Sequence, residues 1–167
     1  MLYHPRRQWT LASFVPRRSS QHARAAGIHF VAQERPSLRT LVLAGPPGSG
    51  KTHLLHALAR LARCNGAIDS IACLSATQWA QEVAAGLHFA DMGRVLQHFA
   101  GQDLLALDDA DRLWGLPQAR QAFAELLHER QEQGLRTLLT ATLYPASPRN
   151  PQPLCDLLAQ QTAVRLH

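Results

Sequence analysis

The stretch GPPGSGKT, Gly45 to Thr52, follows the spacing G-x-x-x-x-G-K-[ST] in full. Residues of these types in this order bind phosphate. Gly45, Gly48 and Gly50 let the chain curl, with Pro46, Pro47 and Ser49 between them, so that backbone N–H groups converge on phosphate oxygens. A helix starting at the end of such a loop adds its positive dipole end. Lys51 supplies a compact ammonium with three donors, and Thr52 a hydroxyl for Mg²⁺. Lys51 is the only lysine in a chain whose sixteen other basic residues are all arginine. A planar guanidinium does not suit so narrow a cradle, so the one exception falls where lysine is required. A glycine-rich turn with no function would explain the glycines but not the whole pattern.

A second group follows at LLALDDAD, Leu104 to Asp111. Four apolar residues deliver Asp108 and Asp109 to the carboxyl end of an expected buried strand, where ligands bind in open α/β sheets. Asp108 is placed to hold Mg²⁺ through water, and Asp109 to orient an attacking water as general base. Acids that merely end a strand are common. Paired with a complete phosphate loop upstream, the functional reading of these two prevails. Asp111 has no assigned role beyond a loop or cap.

Positioning these groups requires alternating strands and helices. Apolar runs predict strands at Thr40–Gly45, Ser70–Leu74, Asp103–Asp109, Arg136–Thr142 and Thr162–Leu166. Helices are predicted over Ser20–Ala32, from Lys51 to a stop at Cys64–Gly66, and from a Ser75/Gln78 capping box to Gly86. A further amphipathic face, Met92, Val95, Leu96 and Phe99, closes at Gly101, and residues 117–133 form a helix with Pro117 in its first turn and Gly134 as its stop. A proline-rich loop and a short helix, Leu154–Gln160, precede the last strand. Near-continuous apolar strands separated by helices imply an α/β fold with a parallel sheet covered on both faces.

At 167 residues the chain fits one domain able to bury a core without staples. No apolar run reaches the length of a membrane span, and the N-terminus lacks the apolar centre of a signal peptide. Cys64, Cys73 and Cys155 have no metal-ligand spacing and read as reduced thiols of a cytoplasmic protein. His53 and His56 share one helix but lack a third ligand, so they read as packed or solvated histidines rather than a metal site. Part of the net charge of +5 is concentrated early, at Arg6, Arg7, Arg17, Arg18 and Arg24. It reads either as general solubilising charge or as a patch that meets nucleic acid.

With these residues in hand, the chain resembles the AAA+ ATPase domain of the bacterial replication initiator DnaA and the related regulatory inactivator of DnaA. WTLASFV (Trp9 to Val15), GPPGSGKTHLLHA, LLALDDAD, LLTATLYP (Leu138 to Pro145) and PLCDLLAQQTAVRL match in order and span nearly the whole chain. The resemblance implies a three-layer P-loop core of five parallel strands in the order 5-1-4-3-2, with ATP or ADP and Mg²⁺ as ligands. It implies an N-terminal segment, residues 1–37, that brings Phe14 and Val15 to the adenine base, ahead of a core at residues 38–167. It places the sensor 1 position on Thr142, as a catalytic residue beside Asp109.

Departures accompany the match. The family's sensor 1 acid is replaced by Thr142, the arginine after it by Leu143, and the arginine finger falls on or near Leu157. Arg149 and Arg165 are out of frame, and residues 1–167 are expected to hold neither a helical lid nor a helix-turn-helix domain. The implied function is an ATP-binding protein of replication or its regulation, with weak or partner-dependent hydrolysis. The alternative is a non-hydrolysing adaptor that docks on a replication protein. A small-molecule P-loop kinase is less well supported, because about forty residues precede the phosphate loop. Sequence-specific duplex reading is not expected without a reading helix, whereas non-specific DNA contact through the basic face stays open.

Overall fold

The computed structural model describes residues 3–16, 20–32, 38–66, 68–142 and 162–166. Its strands are β1 (Thr40–Ala44), β2 (Ile71–Ser75), β3 (Leu104–Asp108), β4 (Arg136–Ala141) and β5 (Thr162–Arg165). Its helices are α1 (Gln21–Ala32), α2 (Lys51–Cys64), α3 (Ala76–His88), α4 (Met92–Ala100) and α5 (Pro117–Glu132). The strands form one sheet in the order β2-β3-β4-β1-β5, every pairing parallel. Read from the other edge this is the expected 5-1-4-3-2. Among the described residues no helix is long and apolar enough to cross a membrane.

Alternation along the strands divides the core into two layers. Leu41 and Leu43 of β1, Leu104 and Ala106 of β3 and Leu138 of β4 face α1 and α2, meeting Phe30, Leu54 and Leu58. Val42, Leu105, Leu107 and Leu139 face the other way, toward α3, α4 and α5, meeting Trp79, Phe99 and Phe123. Both sides of the central strands are thus buried, and every residue of β1 and β4 is, the polar ones included. Trp79 anchors the second layer. Its ring meets Phe99 and Phe123 edge-on at 5.4 and 5.9 Å, and its Nε1 donates to the Ala119 carbonyl at 2.7 Å.

The ends of the elements follow local chemistry. Ser75 Oγ accepts from the Gln78 N–H while the Gln78 side chain accepts from the Ser75 N–H, so the capping box starts α3 as its spacing predicts. Gly134 ends α5 with φ +71°, and Gly66 follows α2 with φ +68°. Gly86, predicted to stop α3, does not, for the helix runs two residues further to His88. Its small size serves packing instead, since a Cβ there would lie 2.7 Å from the Met92 sulfur and 3.0 Å from Val95 Cγ2. Gly101 closes α4 with ordinary right-handed dihedrals rather than a left-handed cap. Asp109 and Thr142, assigned to strands from sequence, lie just beyond β3 and β4.

At the amino ends of the strands, Arg130 of α5 is fully buried. Its guanidinium donates to the carbonyls of Phe99, Ala100, Gln102 and Arg136 and to the Thr137 hydroxyl, over 2.5–3.1 Å. It thereby ties the end of α4 to the starts of β3 and β4. The proline-rich loop, the helix at 154–160, Arg17, Arg18, Leu143, Arg149, Cys155 and Leu157 lie outside the described residues.

Candidate nucleotide site

All five strands point their carboxyl ends at one edge, and the phosphate loop lies there between β1 and α2. Gly45 donates to the Ala141 carbonyl at 3.1 Å, and the Leu166 N–H donates to the Ala44 carbonyl at 2.6 Å. The loop is therefore held by the strands on both sides of β1. No larger residue fits at position 45, because a Cβ there would lie 2.2 Å from the Leu166 carbonyl oxygen. Gly48 and Gly50 adopt φ +75° and +90°, in the left-handed region that side chains disfavour. Gly50 is also the residue before α2, and as its N-cap it offers no side chain to the helix's first N–H groups. Those donors stay available to a ligand. Pro46 and Pro47 stand exposed on the outer rim.

Lys51 opens α2, is 6% exposed, and donates from Nζ to the carbonyls of Gly45 and Pro46, both at 2.9 Å. The ammonium thus bridges carbonyls of its own loop. Ser49 Oγ is buried and lacks a partner among the described residues. An orphaned hydroxyl and a buried cation in one cradle are the groups an oxyanion would satisfy.

The acid pair lies alongside. Asp108 Oδ1 accepts from the Thr52 hydroxyl at 3.1 Å and from the Thr140 hydroxyl at 2.6 Å. One carboxylate oxygen therefore joins α2, β3 and β4. Asp109 leaves the strand with φ +56°, and its N–H donates to Thr140 Oγ1 at 2.8 Å. Its Oδ2 lies 3.2 Å from Arg112 Nε. Burial, helped by the neighbouring Asp108 charge, raises the Asp109 carboxyl above the usual range, against the pull of Arg112. Asp111, with only a generic cap role from sequence, accepts the Thr142 N–H at 3.1 Å and so fixes the chain just past β4.

The N-terminal segment wraps over α2 toward this edge. The Tyr3 carbonyl accepts the Cys73 N–H at 2.8 Å and covers the outer edge of β2, while the Tyr3 hydroxyl binds Glu82. Arg6 lies 4.7 Å over the Trp9 ring, and Trp9 stacks on His53 and tilts against His56. His56 Nδ1 accepts the Arg6 N–H at 3.2 Å, and burial pushes its pKa down to about 4, so the ring is neutral at physiological pH. His53 reaches Ser13 and the Thr10 carbonyl and meets Phe14 edge-on. The two histidines hold this strap in place.

Phe14 reaches the phosphate loop, where a Cβ on Gly50 would stand 3.0 Å from its Cε2. Val15, its predicted partner at the base, is 84% exposed. A cleft of about 230 Å³ beside the site is lined by Arg6, Thr52, His56, Ser75 and Asp108, among others.

The structure thus brings the loop, Lys51, Thr52, Asp108, Asp109 and Phe14 to one edge. Sequence reasoning missed Thr140 and the roles of Asp111, His53 and His56. Two threonines at alternate positions, Thr140 and Thr142, after the apolar pair Leu138 and Leu139 were the available signal for Thr140. The cradle fits a nucleoside phosphate. The Thr52–Asp108 pair fits a hard cation bound by few protein oxygens and by substrate phosphates. Among the described residues no cluster of three or more His, Cys, Asp or Glu forms a self-sufficient metal site.

Comparison with known proteins gives a consistent set. The model of the bacterial DnaA ATPase domain matches residues 6–157. The chromosomal replication initiator protein DnaA of Sphingopyxis alaskensis is 29% identical over 133 residues, covering 80% of this chain and 29% of that protein. The chain thus spans less than a third of the length of such relatives. A replication initiator DnaA solved with AMPPCP and single-stranded DNA superposes with TM-score 0.86 at 21% identity, covering 98% of this chain and 51% of that one. The DnaC helicase loader superposes with TM-score 0.70 at 16% identity, covering 95% of this chain and 97% of that one.

Proposed function

The chain belongs to the bacterial DnaA ATPase-domain family, and from that premise we propose that it binds ATP or ADP with Mg²⁺ and acts in the cytoplasm in DNA replication or its regulation. The observation that carries this reading is the continuous link from phosphate loop to acid pair: Lys51 on the loop carbonyls, Thr52 on Asp108, and Asp108 on Thr140. Phosphate oxygens would take Lys51 from its two carbonyls and use the free N–H groups of the loop and the first turn of α2. Ser49 gains a partner in the same event. Thr52 keeps its proton on Asp108, so its oxygen lone pairs are left for Mg²⁺. The metal supplies Lewis-acid charge to the phosphates. Phe14 packs on the loop and contributes the base side of the pocket together with Val15.

For hydrolysis, Asp109 is the acid we assign to orient water, and Thr142, just past β4 with its N–H on Asp111, is the second residue of that reading. Asp109 is engaged by Arg112 at 3.2 Å. The Arg112 charge works against the burial that raises the Asp109 carboxyl and so lowers its basicity, which supports slow basal turnover. A second reading, an adaptor that binds nucleotide and docks on a replication protein, rests on this same contact and on the likeness to a helicase loader of nearly equal extent. The single-stranded DNA in a structural neighbour supports testing DNA as a ligand of the basic face.

The deciding experiment measures nucleotide binding and single-turnover hydrolysis for wild type, Lys51→Ala and Asp109→Asn, with and without single-stranded DNA. Binding by wild type that Lys51→Ala loses is the expected result, and a wild type that binds neither ATP nor ADP refutes the reading. Turnover equal in wild type and Asp109→Asn selects the adaptor. Rapid DNA-stimulated turnover selects the ATPase.

A further inference from the structure

We propose that Thr140 is the positioning residue of the acid pair, a role that the sequence analysis left unassigned. The inference rests on the nucleotide reading above. Thr140 is fully buried at the end of β4, one step past the Leu107–Leu139 pairing that brings β3 and β4 together. Its hydroxyl has one proton, and the geometry assigns it. The Asp109 N–H can only donate, so at 2.8 Å the Thr140 oxygen accepts. The Thr140 proton then goes to Asp108 Oδ1 at 2.6 Å, the length of a charge-assisted bond.

One hydroxyl therefore sets two things at once. It fixes the Asp108 carboxylate, together with Thr52, through a single oxygen. Oδ2 is thereby left without a partner among the described residues, as the oxygen available to a hydrated cation. It also holds the backbone of Asp109 in the left-handed region, where a non-glycine residue pays a conformational penalty and needs a restraint. Without the hydroxyl, Asp108 loses the shorter of its two hydroxyl donors and the Asp109 N–H loses its acceptor. Thr140 touches neither nucleotide nor metal in this account. Its effect passes through the two aspartates.

The test compares Thr140→Val, which keeps the shape and removes the hydroxyl, with Thr140→Ser, which keeps the hydroxyl. ADP affinity is measured with Mg²⁺ and with EDTA, and the exchange rate of the Asp109 amide hydrogen is measured alongside. We expect Thr140→Val to weaken Mg²⁺-supported binding about tenfold, the size of one hydrogen bond to a charged group. Metal-free binding should stay within about twofold, the Asp109 amide should exchange faster, and Thr140→Ser should restore both to near wild type. If wild type shows Mg²⁺-dependent binding and Thr140→Val matches it, the positioning role is overturned while the nucleotide reading stands. Equal losses in Val and Ser variants, or equal losses with and without metal, reduce Thr140 to a packing residue and also overturn the proposal. A wild type that binds no nucleotide overturns the nucleotide reading and this proposal with it.

Discussion

Lys51 and Arg130 are both buried cations on helices that flank the same sheet, and they are satisfied in opposite ways. Arg130, at the amino ends of the strands, donates to four carbonyls and one hydroxyl, all from protein. Burial lowers its pKa to about 10, with Asp103 opposing, so it remains charged at neutral pH. Lys51, at the carboxyl ends, holds two carbonyls among the described residues, both from the loop it belongs to. A guanidinium saturated by backbone is a fastener. An ammonium resting on its own glycine loop is a cation that a stronger acceptor can recruit. The number and origin of its acceptors thus separate a structural charge from one poised to bind.

Four predictions press on that contrast, in order of expected size. Arg130→Met strips several buried carbonyls of their donor, and we expect it to cost about 4 kcal/mol of stability, or about 10 °C in melting temperature. Nucleotide affinity measured below that transition should stay near wild type, and a selective loss of binding instead would erase the division between the two ends. Lys51→Ala should do the reverse. Calorimetric titration should show nucleotide affinity reduced about a hundredfold, near 3 kcal/mol, with melting shifted only slightly. A large melting loss would make Lys51 a fastener too.

His56 tests whether the strap over α2 belongs to the site end or to the scaffold. Its folded pKa of about 4 lies below the ordinary value of 6.5. The unfolded chain therefore binds the extra proton first, and this contribution is complete above pH 6.5 and is lost as pH falls toward 4. Denaturant unfolding of wild type should lose about 2 kcal/mol across that window relative to His56→Gln, whose slope should be shallower. Identical pH profiles would remove the strap's dependence on a neutral ring. The smallest effect belongs to a cap beside the cleft. Ser75→Ala should cost about 1 kcal/mol in thermal unfolding and leave nucleotide affinity unchanged. A comparable loss of affinity would place Ser75 in the binding site.

Much of this arrangement is legible in the chain's letters. A complete loop pattern, one lysine among arginines, and two aspartates after four apolar residues are local signals, and each was found with its element. The capping box at Ser75 and the stop at Gly134 are local as well. Gly86 misled because a glycine late in a helical pattern reads as a stop. Its actual constraint is the approach of Met92 and Val95 from the following helix, which no window of sequence displays. Arg130 was equally silent, one arginine among many on a helix, since its acceptors come from three other segments.

By itself, then, the sequence determined what depends on neighbours along the chain: the loop chemistry, the acidic strand end, and the alternation that yields a parallel sheet. Tertiary structure alone decided which polar side chains meet. Thr140 reaches Asp108 across 32 residues, Thr52 across 56, and His56 receives the strap across 50. Those distances along the chain are closed by the register of the parallel strands and by α2 packing on the sheet. Their outcome is set by the whole fold, because a hydrogen bond depends on separation in space to a fraction of an ångström.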